Sequence, residues 1–221
     1  MLSFEKEYFR NRKYSSRESV VKRHFSDVLK WASKFSGSDF LEGSGKTALS
    51  VGCGYGYEVG MLSSFGYDAC GIDVSRFGVK KAKLSHLDTD FIVSDVQKGL
   101  PFKDDVVDLL TCFGVLEHLN YPLRALKAMF AVCRDTIICT SPNRLVERSL
   151  KQLTRDVDET HINVKSKREW EKAISEKLDK NFMKIEPFFD ASLKVSGKLL
   201  FFRSFKVPYF GLDFRILIRK K

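Results

Sequence analysis

Apolar positions fall in short dense runs separated by amphipathic stretches, and this alternation predicts the elements. From Glu5 to about Phe35, the near-helical spacing of Val20, Val21, Phe25, Val28, Leu29 and Trp31 predicts a basic helical segment. A Gly- and Ser-rich loop follows, from Ser36 to Gly45. Lys46 to Cys53 then reads as a buried strand closed by glycines, and Tyr57 to Phe65 as a short helix stopped by Gly66. The same reading gives strands at Asp68 to Val74, Asp90 to Asp95, Val106 to Phe113 and Thr136 to Thr140, the last ended by Pro142. It gives helices from Arg76 to about Leu84 and from Pro122, the latter carrying Leu123, Leu126, Met129 and Phe130 on one side. Short apolar strands alternating with helices imply parallel strands, right-handed crossovers and helices on both faces. The expected fold is therefore a doubly wound, Rossmann-like α/β sheet. Phe182 to Phe189 and the alternating Leu212 to Arg219 read as two further strands.

Composition narrows the picture only moderately. The 221 residues suit one sizeable core, with 43% apolar and 30% charged residues. No apolar run approaches the roughly 20 residues that cross a bilayer, and the N-terminus lacks a secretory core, which together favour a cytoplasmic protein. The five cysteines, Cys53, Cys70, Cys112, Cys133 and Cys139, have neither metal-ligand nor disulfide-framework spacing. They are expected to be reduced structural thiols, and no metal is expected. The net charge of +10 suits an anionic partner, and the excess is concentrated near the C-terminus. From Ala191 onward, Lys194, Lys198, Arg203, Lys206, Arg215, Arg219, Lys220 and Lys221 face Asp213 alone. Between the last two strands, the aromatics and cations of Ser196 to Phe210 suit RNA, anionic lipid, or a lid or dimer contact.

In a doubly wound sheet, ligands bind beyond the carboxyl ends of the strands, where the strand order reverses. Val51-Gly52-Cys53-Gly54-Tyr55-Gly56 offers a close-approach loop followed by a helix N-terminus that favours a carboxylate. Asp73 ends the second strand, where a carboxylate can accept from both ribose hydroxyls, and Asp95 ends the third, in reach of an adenine amine. Loop and acids in this order resemble the class I S-adenosylmethionine (SAM)-dependent methyltransferases, in particular the small-molecule group with a VGCGxG loop. Tyr57 stands where a dinucleotide fingerprint would have its third glycine, which favours SAM over NAD.

The resemblance implies a seven-stranded sheet, mostly parallel with an antiparallel C-terminal strand. It implies SAM as cofactor and S-adenosylhomocysteine as product. Gly52, Cys53, Gly54 and Gly56 would flank the methionine part, Asp73 and Val74 the ribose, and Asp95 with Val96 the adenine. Phe113 would line the methionine side, and the family-like Leu116-Glu117-His118-Leu119 would place Glu117 and His118 at the mouth. Residues 1–221 are read as one methyltransferase domain, with 1–40 a helical cap over the site and 190–211 a basic aromatic insertion. One position departs: the acid usual two residues before the first glycine is Ser50, which weakens the cofactor's amino-group contact unless another acid compensates.

His118 and His161 are the candidate bases for taking a proton from the acceptor. The expected activity is methyl transfer to a small or lipid-like acceptor through an O, N or C nucleophile. RNA or protein methylation, SAM binding without catalysis and a NAD-dependent dehydrogenase are the alternatives. No Asn-Pro-Pro-Tyr-like element follows strand four, which argues against that route to amino methylation of nucleic-acid bases.

Overall fold

The computed structural model describes residues 4–147, 149, 158–178, 182–195, 198–208 and 210–220. Strands β1 (Thr47–Val51), β2 (Asp68–Asp73), β3 (Asp90–Val93), β4 (Val107–Phe113), β5 (Cys133–Pro142), β6 (Phe182–Val195), β7 (Lys198–Lys206) and β8 (Asp213–Arg219) form one sheet in the order β3-β2-β1-β4-β5-β8-β6-β7. The first five pair in parallel, and β8 runs antiparallel to β5 on one side and to β6 on the other. The order reverses between β1 and β4, which places the loops after those two strands side by side.

Helices cover both faces, as parallel strands buried on two sides require. On one face α5 (Pro122–Val132) and α6 (Lys167–Lys177) bury Leu126, Met129, Trp170 and Ile174 against Leu110, Ile137, Ile185 and Ile216. On the other, α2 (Glu18–Ser36), α3 (Tyr57–Ser64) and α4 (Arg76–Ser85) bury Phe25, Leu29, Leu62 and Ala82 against Leu109, Ile138 and Leu217. The doubly wound, mostly parallel architecture is thus as the pattern predicts.

Three details differ from the sequence reading. The sheet has eight strands because the expected insertion is largely strand: β6 runs on to Val195 and pairs with β7 in a hairpin arm. The N-terminal helical segment comes in pieces: α1 (Lys6–Asn11), a 3-10 turn (Tyr14–Arg17) and then α2. The break is at Lys13, whose φ of 47° lies in the left-handed region, and it turns Tyr14 towards the glycine loop. Finally, most of the C-terminal cations are not a free basic surface. Lys206 pairs with Glu186, Arg215 with Asp190, Arg219 with Asp135 and Lys220 with Asp105, while Lys194 donates to the Ser16 carbonyl. The partners come from distant parts of the chain, so the local count overstates the free charge. Lys198 and Arg203 remain without an ion-pair partner among the described residues, and Lys221 lies outside them.

Candidate functional site

A cavity of about 590 Å³ opens at the carboxyl ends of β1, β2, β3 and β4. Its floor is the glycine loop. Gly52 and Gly54 have φ of 76° and 51°, where a side chain would be strained, and a Cβ on Gly52 would overlap Val115. The loop is fastened to the next strand end, since Gly52 and Cys53 donate to the Ile72 carbonyl and Gly54 N–H donates to Asp73 Oδ2 at 2.8 Å. Asp73 Oδ1 accepts from Ser75 N–H, also at 2.8 Å. Burial raises the Asp73 pKa against these two lowering bonds. Each oxygen keeps a lone pair for a further donor. Asp95 caps the turn after β3 by accepting from Gln97 N–H.

Seven of the ten predicted cofactor residues therefore meet at one wall: Gly52, Gly54, Asp73, Val74, Asp95, Val96 and Phe113. The other three stand behind it. Cys53 is buried, with its thiol pushed up by burial, and its Sγ lies against the backbone of Gly71. Gly56 starts α3 at φ 79°, and a Cβ there would meet Phe91 and Ala82. Glu117 is buried below the mouth, and burial pushes its carboxyl up to about 8.

The N-terminal segment closes the opposite side with Phe4, Tyr8, Phe9 and Tyr14. Phe9 stacks on Tyr55, Tyr14 stacks on Tyr57, and the Tyr14 hydroxyl sits over Gly54. Glu5 holds this strap down by accepting from the Arg76 and Phe77 amides at the start of α4.

Sequence reasoning did not single out Glu58, in the first turn of α3. Ser50 Oγ donates to Glu58 Oε2 at 3.2 Å, and burial raises the Glu58 pKa to about 7, against lowering by His24 and Ser50. An acid therefore stands beside the position where the usual carboxylate is missing. The signal lay in a polar, buried Ser50 and an acid eight residues later, which only the β1–α3 turn brings together.

His118 lines the cavity and His161 lies beside it, with ring centroids 4.8 Å apart. Thr160 fixes the His118 tautomer. Its hydroxyl proton goes to Asp158 Oδ1 at 2.5 Å, so His118 Nδ1–H must donate to the Thr160 hydroxyl (2.8 Å) and carbonyl (3.1 Å). Nε2 keeps the lone pair. Burial and then His161 push the His118 pKa down to about 4, so the ring is neutral at pH 7. His161 Nδ1 is 2.8 Å from Glu147 Oε1, which orients its ring from behind.

Comparison with known proteins agrees with this geometry. A family model described as "Methyltransferase domain" matches residues 49–138. A ubiquinone biosynthesis O-methyltransferase of Aliivibrio fischeri is 28% identical over 88 residues, covering 38% of each chain. An uncharacterized protein of Methanocaldococcus jannaschii is 31% identical over 112 residues, covering 50% of this chain and 44% of that one. The match thus spans well under half the length of these curated relatives. A SAM-dependent methyltransferase from Archaeoglobus fulgidus has the same fold, with TM-score 0.71, 18% identity and coverage of 97% of this chain and 100% of that one. So has a magnesium protoporphyrin IX methyltransferase from Synechocystis with bound S-adenosylhomocysteine, with TM-score 0.64, 15% identity and 98% coverage of both. Residues 49–138, less than half of the chain, thus resemble a methyltransferase domain, and the whole chain shares its fold with these solved SAM-dependent methyltransferases.

Proposed function

We propose that the chain transfers a methyl group from SAM to a small or lipid-like acceptor through an O, N or C nucleophile. The observation that carries this reading is that one cavity joins the glycine loop, Asp73 and Asp95 on one wall to His118 on the other. Its volume is in the range that encloses a cofactor-sized ligand, and Asp73 keeps acceptor capacity after its two backbone bonds. When bound, SAM supplies a sulfonium methyl as the electrophile, so the protein's task is placement and exclusion of water. Gly52 and Gly54 let the main chain approach the methionine part, Asp73 accepts from the ribose hydroxyls, and Asp95 with Val96 faces the adenine. The N-terminal aromatic strap caps the site. His118, backed by His161, is the polar group at the acceptor end and carries a free nitrogen lone pair. The names of the curated relatives, O-methyltransferases of ubiquinone biosynthesis, support an acceptor of this class.

Among the described residues, no helix is long and apolar enough to cross a membrane. The five cysteines are unpaired, which suits a cytoplasmic setting. RNA is the weaker alternative, because ion pairs engage four of the eight C-terminal cations and a backbone carbonyl a fifth. Calorimetric titration tests the central claim: micromolar binding of SAM and S-adenosylhomocysteine, and none of NAD, is expected. Absence of SAM binding would sink it.

Glu58 is assigned the place of the missing acid, acting through Ser50 on the cofactor's amino end. With its pKa near 7, Glu58 is half ionised at neutrality, and His24, Tyr14 and Cys53 are its titratable neighbours. The ammonium group of SAM favours the carboxylate, so affinity should rise as pH goes from 6 to 8. Glu58→Gln should flatten that rise, as read by titration at several pH values. The same raised pKa makes the free fold take up a proton between about 4.5 and 7, so its contribution to stability falls as pH rises through that window.

A further inference from the structure

We propose that Glu117, His118 and His161 bind a first-row divalent metal ion at the acceptor end of the cavity. One ligand atom from each residue lies within 4.8 Å of the others, close enough for a single ion to be shared with small side-chain adjustments. The inference rests on the methyltransferase reading for its function, but the site itself is argued from its own geometry.

Three observations converge on a cation. First, both imidazoles are oriented from behind: His118 Nδ1 by Thr160, and His161 Nδ1 by Glu147. A ring whose Nδ1–H is tied to a carbonyl or carboxylate presents a more basic Nε2, the usual support for a metal-ligating histidine. Second, Glu117 is 3% exposed, and its Oε2 has no hydrogen-bond partner among the described residues. A buried carboxylate oxygen left unsatisfied costs stability unless something absent from the chain engages it. Third, the surroundings are acidic. Asp158 Oδ2 lies 3.7 Å from His161 Nε2, Glu147 holds Nδ1, and Arg12, which pairs with Asp158, is the cation closest at hand.

Two imidazoles and one carboxylate suit Zn²⁺, Co²⁺ or Fe²⁺ better than Mg²⁺, which prefers oxygen ligands throughout. Open coordination positions would face the cavity, since His118 and Ile162 line it. An acceptor hydroxyl bound there would lose its proton to solvent more easily. With an ion held there, His118 would act as a ligand and no longer as the base; the ion would supply Lewis-acid activation of that hydroxyl, whose oxygen would bond the methyl carbon as the carbon–sulfur bond broke, leaving neutral S-adenosylhomocysteine. This narrows the acceptor class to molecules that present a hydroxyl, above all one with a neighbouring oxygen for a second bond to the ion.

The test uses the untagged 221-residue chain stripped with a chelator and titrated with Co²⁺, whose visible absorption reports coordination without any turnover. Expected is one Co²⁺ per chain with visible bands, displaced by Zn²⁺ and not by Mg²⁺. His161→Ala should abolish the bands while circular dichroism stays native. Glu147→Gln, which alters only the support behind His161, should weaken binding by roughly 10- to 100-fold. His86→Ala, at the far end of α4, should change nothing. Absence of bands in the wild-type chain overturns the proposal, as does their persistence in His161→Ala or a near-ultraviolet thiolate band assigning the metal to cysteine. SAM is titrated in parallel on the same sample. Metal binding without SAM binding would overturn the proposed activity and leave the metal site standing, and the reverse would do the opposite.

Discussion

Asp73→Ala is expected to weaken SAM binding by about 1–3 kcal/mol, roughly 5- to 150-fold. The side chain has two functions in one place. Its Oδ2 holds the Gly54 amide and its Oδ1 the Ser75 amide, so it ties the glycine loop to the start of α4. Its remaining lone pairs are available on the wall it shares with Val74 and Asp95, where the proposed cofactor ribose would lie. Alanine removes the ribose contact and frees both amides at once. Asparagine is not a gentle substitute, because its amide group would set a donor against one of the two backbone N–H groups. Both variants should therefore lose affinity, with a circular dichroism spectrum close to wild type. Burial raises the Asp73 pKa, so wild-type affinity should also fall as acidification protonates the carboxylate. Wild-type affinity in Asp73→Ala, measured by calorimetry, would remove the ribose assignment and with it the orientation proposed for the cofactor.

The central sheet was legible because its strands are buried on both faces. Thr47–Val51 and Val107–Phe113 are near-continuous apolar runs, and the glycines and acids that end them sit where the topology needs them. Legibility failed where contacts, not local pattern, set the outcome. β7 runs Lys-Leu-Leu-Phe-Phe-Arg-Ser-Phe-Lys without the strict alternation of a half-buried strand, and none of its residues is buried, so it read as an insertion. Its register comes from pairing with β6, for example Phe189 with Phe205 and Leu193 with Phe201, which no single segment shows. Glu58 escaped notice because its significance depends on Ser50 across the β1–α3 turn. The Glu117, His118 and His161 cluster has no recognisable ligand spacing, since 42 residues lie between its last two members and only the tertiary fold brings them together. Counting metal motifs in the sequence could not have found it.

The C-terminal cations make the same point energetically, and Arg215 is the sharpest case. It is 2% exposed, donating to the Asp27 carbonyl of α2 at 3.1 Å, to Asp190 Oδ1 of β6 at 3.4 Å and to Ser204 of β7. Its guanidinium lies 3.8 Å from the centre of the Phe188 ring. A residue that reads as part of a basic tail is thus the peg that joins α2 to the hairpin arm. Arg215→Met is expected to destabilise the chain by about 3 kcal/mol, the low end of the range for removing one partner of a buried ion pair. The low end applies because Asp190 keeps His24 at 2.5 Å and the Ser204 hydroxyl. Adding Asp190→Leu should restore part of the loss, because the carboxylate left with only part of its partners is then gone and the two apolar side chains pack on Phe188. Burial raises the Asp190 pKa, but His24, Ser204 and Arg215 outweigh it and hold it below the usual value. Its contribution is therefore present above the unfolded pKa and lost as pH falls through the folded one, so the single variant should show a weaker acid dependence than wild type. Urea unfolding at pH 7 and pH 4 gives both numbers, and hydrogen exchange over β6 and β7 should show the arm opening first. A double variant no more stable than Arg215→Met would mean that the arginine acts through its packing on Phe188 and not through the charge of Asp190.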